Sequence, residues 1–457
     1  MNSIVTFPNR IPVQEFEERR FKVFTDRQLD KIEAIQNLPE ETLFEMKVVA
    51  SVLPFRVNEY VINELINWDK VPNDPIYQLV FPQKGMLKDE HYERMAQLHR
   101  EGADKKDIQA AAKEIRDALN PHPAGQMEMN MPELDGEVLD GVQHKYRETV
   151  LFFPSQGQTC HSYCTFCFRW AQFVGDKDLK MASTDAEKLH GYLQKHTEVS
   201  DLLVTGGDPM VMRTKVLERY IEPLLKLDHL DSIRIGTKSL AWWPYRFVTD
   251  SDADALLRLF ERVEQAGKRL ALMAHASLPV ELKPAVAQEA IRRIQGTGAV
   301  IRCQAPLVKH VNDDPQVWAD LWREEVRLGM VPYYMFVERD TGAREYYHLP
   351  LAQALEIYRE ALRRTSGLAR TVRGPSMSAH PGKVCVDSIE RIAGEEVFVM
   401  RFLQGRDPEW AGRTFFAKYD PQAAWLDDLK PALGEESFFF ETDAPASVAR
   451  TRLAEPV

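Results

Sequence analysis

From Thr149 onward, short apolar runs alternate with longer stretches in which apolar residues recur every three or four positions. The runs Thr149 to Phe153, Asp201 to Thr205, Ser232 to Thr237, Arg269 to His275, Ala299 to Ala305 and Val331 to Phe336 predict buried strands. The stretches Asp185 to His196, Thr214 to Leu225, Asp252 to Ala266, Lys283 to Ile294, Pro315 to Leu328 and Leu351 to Thr365 predict the helices that follow them. Near-continuous apolar strands alternating with amphipathic helices imply an α/β fold, a parallel sheet with helices on its outer side. Six such units predict a partial six-stranded (β/α)6 barrel, with chemistry expected at the carboxyl ends of the strands.

The flanks read differently. From Thr25 to about Leu119 the pattern is helical, with Asn58 as an N-cap before Glu59 and a charged amphipathic helix from Asp104 to Leu119 that Asn120-Pro121-His122-Pro123 ends. Met127 to Val142 reads as an irregular connector. Beyond Lys383, Glu395 to Leu403 and Arg413 to Tyr419 predict antiparallel strands, and Ser447 to Val457 a loose tail. The expected organisation is an N-terminal helical region and connector at 1–143, the parallel barrel at 144–383 and a small C-terminal α+β extension at 384–457.

Three of the chain's five cysteines, Cys160, Cys164 and Cys167, are spaced C-x3-C-x2-C directly after the first predicted strand. Such spacing lets one loop wrap several thiolates around a common centre, zinc or an iron–sulfur cluster. A structural zinc needs four ligands; His161 is one candidate, but no second C-x-x-C pair follows. Three thiolates on a cubane leave one iron open for chemistry. The second strand ends in Gly206-Gly207-Asp208-Pro209, a turn that a ligand can approach closely and whose carboxylate could accept from an ammonium group. Further strand ends supply Lys238, His275, Gln304 and Asp340, and Lys383 follows Pro381-Gly382. A lysine held in a cleft is suited to a Schiff base with pyridoxal phosphate (PLP).

Composition narrows the partners. The net charge of −11 gives no footprint for non-specific nucleic-acid binding. The start Met1 to Arg10 lacks the basic and apolar regions of a signal peptide, and no run reaches the length of a membrane span, so a cytoplasmic location is expected. Few cysteines, three of them grouped, argue against a disulfide framework.

The cysteine loop and the Gly-Gly-Asp-Pro turn resemble the radical S-adenosylmethionine (SAM) superfamily. From about His144 to Tyr419 the chain is similar to the lysine 2,3-aminomutase family. The resemblance is carried by His144-Lys145-Tyr146, the cysteine loop with Arg169, Ser232-Ile233-Arg234-Ile235-Gly236, Val311-Asn312-Asp313, Pro332-Tyr333-Tyr334 and Gly382-Lys383. It implies a [4Fe-4S] cluster on Cys160, Cys164 and Cys167, and SAM at Gly206, Gly207 and Asp208. It further implies PLP on Lys383 with Lys145 and Arg169 near its phosphate, Gln304 facing the cofactors, and Asp340 near the acidic residue that holds a substrate's distal ammonium. The implied reaction is a 2,3-aminomutase isomerisation of a small amino acid through a 5′-deoxyadenosyl radical and a PLP aldimine. An electron donor such as flavodoxin or ferredoxin and a homo-oligomer are implied with it.

Several positions depart from the family pattern. Ser376 stands where lysine-acting members carry an aspartate, Ala379-His380-Pro381 replaces most of a glycine run, and Lys145 and Thr149 stand for two arginines. One of two carboxylates that would pair with an ε-ammonium is therefore missing, and a substrate with a neutral or anionic side chain stays open. So do two other readings, a PLP-independent radical SAM enzyme of the same family acting on another amino acid or a protein-bound lysine, and a non-catalytic metal-binding protein. The C-terminal segment lacks the cysteines that bind an interface zinc in some relatives.

Overall fold

The computed structural model describes residues 16–120, 130–174 and 182–442. The amino-terminal residues Met1 to Arg10, the helix-stopping Pro121 to Pro123, the first residues of the connector and the tail Ser447 to Val457 lie outside them. Two short strands, β1 (Val23–Thr25) and β2 (Arg56–Asn58), pair antiparallel among the N-terminal helices, and β3 (Glu133–Leu134) and β4 (Glu137–Val138) form a small hairpin. The main sheet has eleven strands whose spatial order follows the chain: β5 (Val142–Tyr146), β6 (Thr149–Phe152), β7 (Asp201–Val204), β8 (Ser232–Thr237), β9 (Arg269–His275), β10 (Val300–Leu307), β11 (Val331–Val337), β12 (Arg373–Ser378), β13 (Gly382–Ile392), β14 (Glu395–Gly405) and β15 (Thr414–Lys418).

Strands β6 to β12 are parallel, β5 is antiparallel at one edge, and β13 to β15 continue antiparallel at the other. The six expected parallel strands are β6 to β11, and β12 adds a seventh. Its sequence, Arg373-Gly374-Pro375-Ser376-Met377-Ser378, carries no apolar run. It becomes a strand because Tyr334 and Phe336 of β11 offer it parallel register on one side and β13 an antiparallel ladder on the other. The sheet passes through positions 143/144 and 383/384 without a break, since β5 and β13 span them.

The helices form where the amphipathic pattern places them. Ala186–Lys195, Lys105–Leu119 and Pro315–Arg327 begin on Asp185, Asp104 and Asp314, whose carboxylates accept from backbone N–H groups of the first turn. Burial along β8 and β10 has period two. Ile233, Ile235, Ile301, Cys303 and Ala305 are buried, while Arg234, Arg302 and Gln304 on the opposite face remain partly exposed. That second face is the concave one. Lys145 on edge strand β5 hydrogen-bonds to the carbonyl of Ala379, between β12 and β13, so the parallel part of the sheet curls until its two sides nearly meet.

Three apolar clusters follow the three sections of the chain. One lies between the parallel strands and their helices, and one under β12 to β15. The third joins the N-terminal helices to Phe166 and Trp170 of the cysteine loop and to Trp242 and Trp243 beyond β8. The N-terminal region is thereby a cover over the carboxyl ends of the strands. No described helix is long and apolar enough to cross a membrane.

Candidate active site

The cysteine loop leaves β6 and is pinned from the N-terminal cover. Arg56 Nε donates to the Cys160 carbonyl at 2.8 Å, and the Asn58 N–H donates to Ser162 Oγ at 3.0 Å. The expected N-cap role of Asn58 is present, since its Oδ1 accepts from Val61 N–H at 3.0 Å. The same side chain, fully buried, also donates to the Trp242 carbonyl at 2.8 Å, which ties cover, loop and β8 end together. Further along, the Thr165 hydroxyl donates to the Gln78 carbonyl at 2.9 Å and accepts from Tyr347 at 2.6 Å.

Within this clamp the three sulfurs are free thiols close enough to influence one another. Burial pushes each thiol up, and for Cys160 and Cys164 the neighbouring cysteines add to the rise. Thiolates here therefore require a strong cationic partner, which is what a metal centre supplies. His161 is engaged elsewhere. Its Nδ1 pairs with Ser239 Oγ at 2.8 Å, its ring packs between Phe21 and Trp243, and burial pushes it down to about 3. Among the described residues, no three His, Cys, Asp or Glu side chains gather tightly enough for a single metal ion.

The Gly206-Gly207-Asp208 turn lies directly against this loop. A Cβ on Gly206, whose φ is +146°, would come within 2.4 Å of Gln158, and one on Gly207 within 2.5 Å of the Thr159 carbonyl. The glycines thus make room for the start of the cysteine loop, and Asp208 N–H donates to the Thr159 carbonyl at 2.7 Å. The Asp208 carboxylate is buried and fully engaged. It accepts from Met210 N–H and the Thr237 hydroxyl at one oxygen, and from Thr237, Lys238 N–H and the Ser239 hydroxyl at the other, at 2.8–3.0 Å. Lys238 itself pairs with buried Glu281 at 2.8 Å, and His275 with Ser277 at 2.9 Å. Gln304 sits on the concave face of β10, in register with His275 of β9 and Tyr334 of β11.

Lys383 opens β13, opposite Ser378 of β12. Its amine lies 4.3 Å over the Tyr334 ring, and burial, with Arg234 and Arg373 adding to it, pushes it down to about 7. A lysine with that pKa is a nucleophile at neutral pH. Several cations surround it. Lys145, held on the Ala379 carbonyl, is driven well down by burial and by Arg406, Arg339 and Lys383. Arg169 lies 4.3 Å over Phe153 and 5.2 Å over Phe168, and Arg339 lies 5.1 Å over the Phe168 ring. Arg406 donates from Nε to the His380 carbonyl at 2.8 Å, but its buried Nη2 has no acceptor.

Sequence reasoning did not single out Arg56, Arg339 or Arg406. Arg339 stands beside Asp340 in the stretch it noted, whereas Arg56 and Arg406 come from the cover and from the end of β14, where no local pattern marks them. The residues fit the groups that the resemblance implies. Three buried thiols share one loop, as a cubane needs. A lysine depressed toward neutrality beside an orphaned guanidinium nitrogen suits an aldehyde cofactor bearing a phosphate.

No protein-family model matches the chain. Over 402 residues it is 33% identical to the "Putative L-lysine 2,3-aminomutase" of Aquifex aeolicus, covering 88% of this chain and 94% of that protein. It is 23% identical over 345 residues to the L-lysine 2,3-aminomutase of Bacillus subtilis, covering 76% and 63%. Over 210 residues it is 27% identical to the glutamate 2,3-aminomutase of Clostridioides difficile, covering 46% and 47%.

Proposed function

Because the chain belongs to the lysine 2,3-aminomutase family of radical SAM enzymes, we propose that it moves the α-amino group of a free amino acid to the neighbouring β-carbon, with PLP as a cofactor. In this reading Cys160, Cys164 and Cys167 ligate a [4Fe-4S] cluster. Gly206 and Gly207 present backbone to SAM, Asp208 fixes their turn, and Gln304 faces the bound cofactors. When bound, the cluster and SAM supply an electron and a carbon-centred radical, and PLP a conjugated ring that delocalises the unpaired electron.

The chain's own contribution is positioning. Lys383 brings a buried amine to within 4.3 Å of the Tyr334 ring, where burial pushes it down to about 7, and that placement is the observation that carries the reading. Arg169 and Arg406 hold guanidinium N–H groups ready for a phosphate, and Lys145 regains its proton when an anion arrives. The N-terminal cover, packed on Phe166, Trp170 and Trp242, excludes water from the strand ends. A flavodoxin or ferredoxin would deliver the electron.

A PLP-independent enzyme of the same family is the second reading. It draws on Lys145 being bound to Ala379 and on Thr149 donating to Asp201 at 3.2 Å, where the family pattern has arginines. Family membership removes the non-catalytic alternative. One anaerobic preparation separates the rest. Reconstituted protein should contain iron and sulfide and, with PLP, give a borohydride-reducible adduct that maps to Lys383 and disappears in Lys383→Ala with the cluster intact. An iron–sulfur protein without the adduct supports the second reading, and protein that takes up no iron sinks both.

A further inference from the structure

Resting on the reading above, we propose that the substrate is an amino acid whose side chain ends in a carboxylate, and that Arg339 is the residue that meets that carboxylate. The observation behind it is a pair of guanidiniums on one ring. Phe168 is 43% exposed, and Arg169 and Arg339 lie 5.2 Å and 5.1 Å from its centroid. Stacking on an arene fixes the guanidinium plane and leaves its edge donors directed outward, the geometry that binds a carboxylate through two parallel hydrogen bonds. Among the described residues neither guanidinium has an ion pair or a side-chain hydrogen bond, although Asp340 attracts Arg339 from a greater distance.

The concave face also holds a guanidinium that is satisfied. Arg234 is gripped by both oxygens of Asp201, with Nε to Oδ1 at 2.8 Å. Asp201 in turn accepts from Ser232 at 2.7 Å and Thr149 at 3.2 Å. The fold can therefore neutralise a buried arginine with its own carboxylate and does not do so at Arg339.

The acidic groups near Arg339 do not change this. Glu338 is buried, burial drives its carboxyl well up, and its Oε2 has no partner. Asp340 has a partner of its own, and its attraction for Arg339 is not accompanied by an ion pair among the described residues. Ser376, at the place of the missing aspartate, is uncharged, fully buried and bonded to the Met335 carbonyl. An ammonium-ended side chain would add a further cation to Arg169, Arg339, Arg406 and Lys145. A carboxylate-ended side chain would instead bring an anion to this group of cations.

The test uses reconstituted holoenzyme, titrated calorimetrically at pH 7.5 with L-glutamate, L-aspartate, L-lysine and the uncharged L-norvaline, with products followed by NMR. One dicarboxylic amino acid should bind at least tenfold tighter than L-lysine and L-norvaline. Arg339→Gln should erase that preference while iron content and the Lys383 borohydride adduct persist, and Arg339→Lys should restore part of it. Tighter binding or preferential isomerisation of L-lysine by the unmutated enzyme overturns the inference and leaves the proposed function standing. So does an Arg339→Gln variant that weakens L-glutamate and L-norvaline equally, because Arg339 would then serve a group common to all amino acids. Absence of the Lys383 adduct in the unmutated protein is the separate result that overturns the proposed function itself.

Discussion

Asp208 and Arg339 both follow parallel strands at the same end of one sheet. The two oxygens of Asp208 together accept hydrogen bonds from four neighbouring residues, whereas the Arg339 guanidinium lies over an arene with no hydrogen-bond acceptor among the described residues. The cysteine and glycine half of the site is thus built to completion by the chain itself. The half around Lys383 holds cations that repel one another, an arrangement stable only because the remainder of the fold imposes it. A completed half gives a rigid seat for a cluster. An uncompensated half stores electrostatic repulsion that an anionic ligand relieves on binding, which favours binding over ligand-free stability.

The contrast can be broken most severely at the sulfurs. Cys164→Ala should reduce bound iron to background after reconstitution and abolish turnover, read by iron analysis and product NMR; retained iron would mean that the loop does not hold the cluster. Asp208→Ala leaves four buried donors without an acceptor and should lower unfolding free energy by about 3 kcal/mol in denaturant titrations. A loss near zero would show that the turn is not the completed structure described here.

On the other side, the Lys383 amine titrates at about 7. Its rate of reductive methylation by added formaldehyde and cyanoborohydride in the cofactor-free protein should rise about fivefold from pH 6 to pH 7 and about twofold more by pH 9, set by the unprotonated fraction. A rise continuing through pH 10 would refute the depressed amine. The linkage has a defined sign. The unfolded lysine binds its proton up to about pH 10.4 and the folded one only to about 7, so this group's contribution to stability increases with pH between those limits. The smallest effect expected is a gain. Arg339→Met removes a buried charge that has no ion pair among the described residues and should stabilise the ligand-free protein by about 1 kcal/mol, and a loss instead would mean that the attraction of Asp340 already compensates Arg339.

Much of this was legible before any coordinates. The period-two strands, the Asp104, Asp185 and Asp314 helix starts and the Asn58 cap all depend on neighbours in sequence, and they appear where the pattern puts them. The residues brought to the strand ends follow from that topology. What was not legible depends on distant partners. Arg373 to Ser378 becomes a strand only because β11 and β13 flank it. The Asp208 carboxylate, expected to face a ligand, is claimed by Thr237, Lys238 and Ser239 from the next strand end. The contact of Arg339 with Phe168 joins the end of β11 to the cysteine loop, far apart in sequence, so no local pattern distinguishes Arg339 from Asp340.

The hydrogen bond from Lys145 to the Ala379 carbonyl joins residues 234 positions apart. Contacts of such long range form only when everything between them is in place, so this one works as a gauge of assembly. A truncated chain ending before β12 could build most of the parallel ladder yet would leave Lys145 nothing to reach. A probe placed across the two rims of the open ring would therefore report completion of the whole molecule rather than of any single strand.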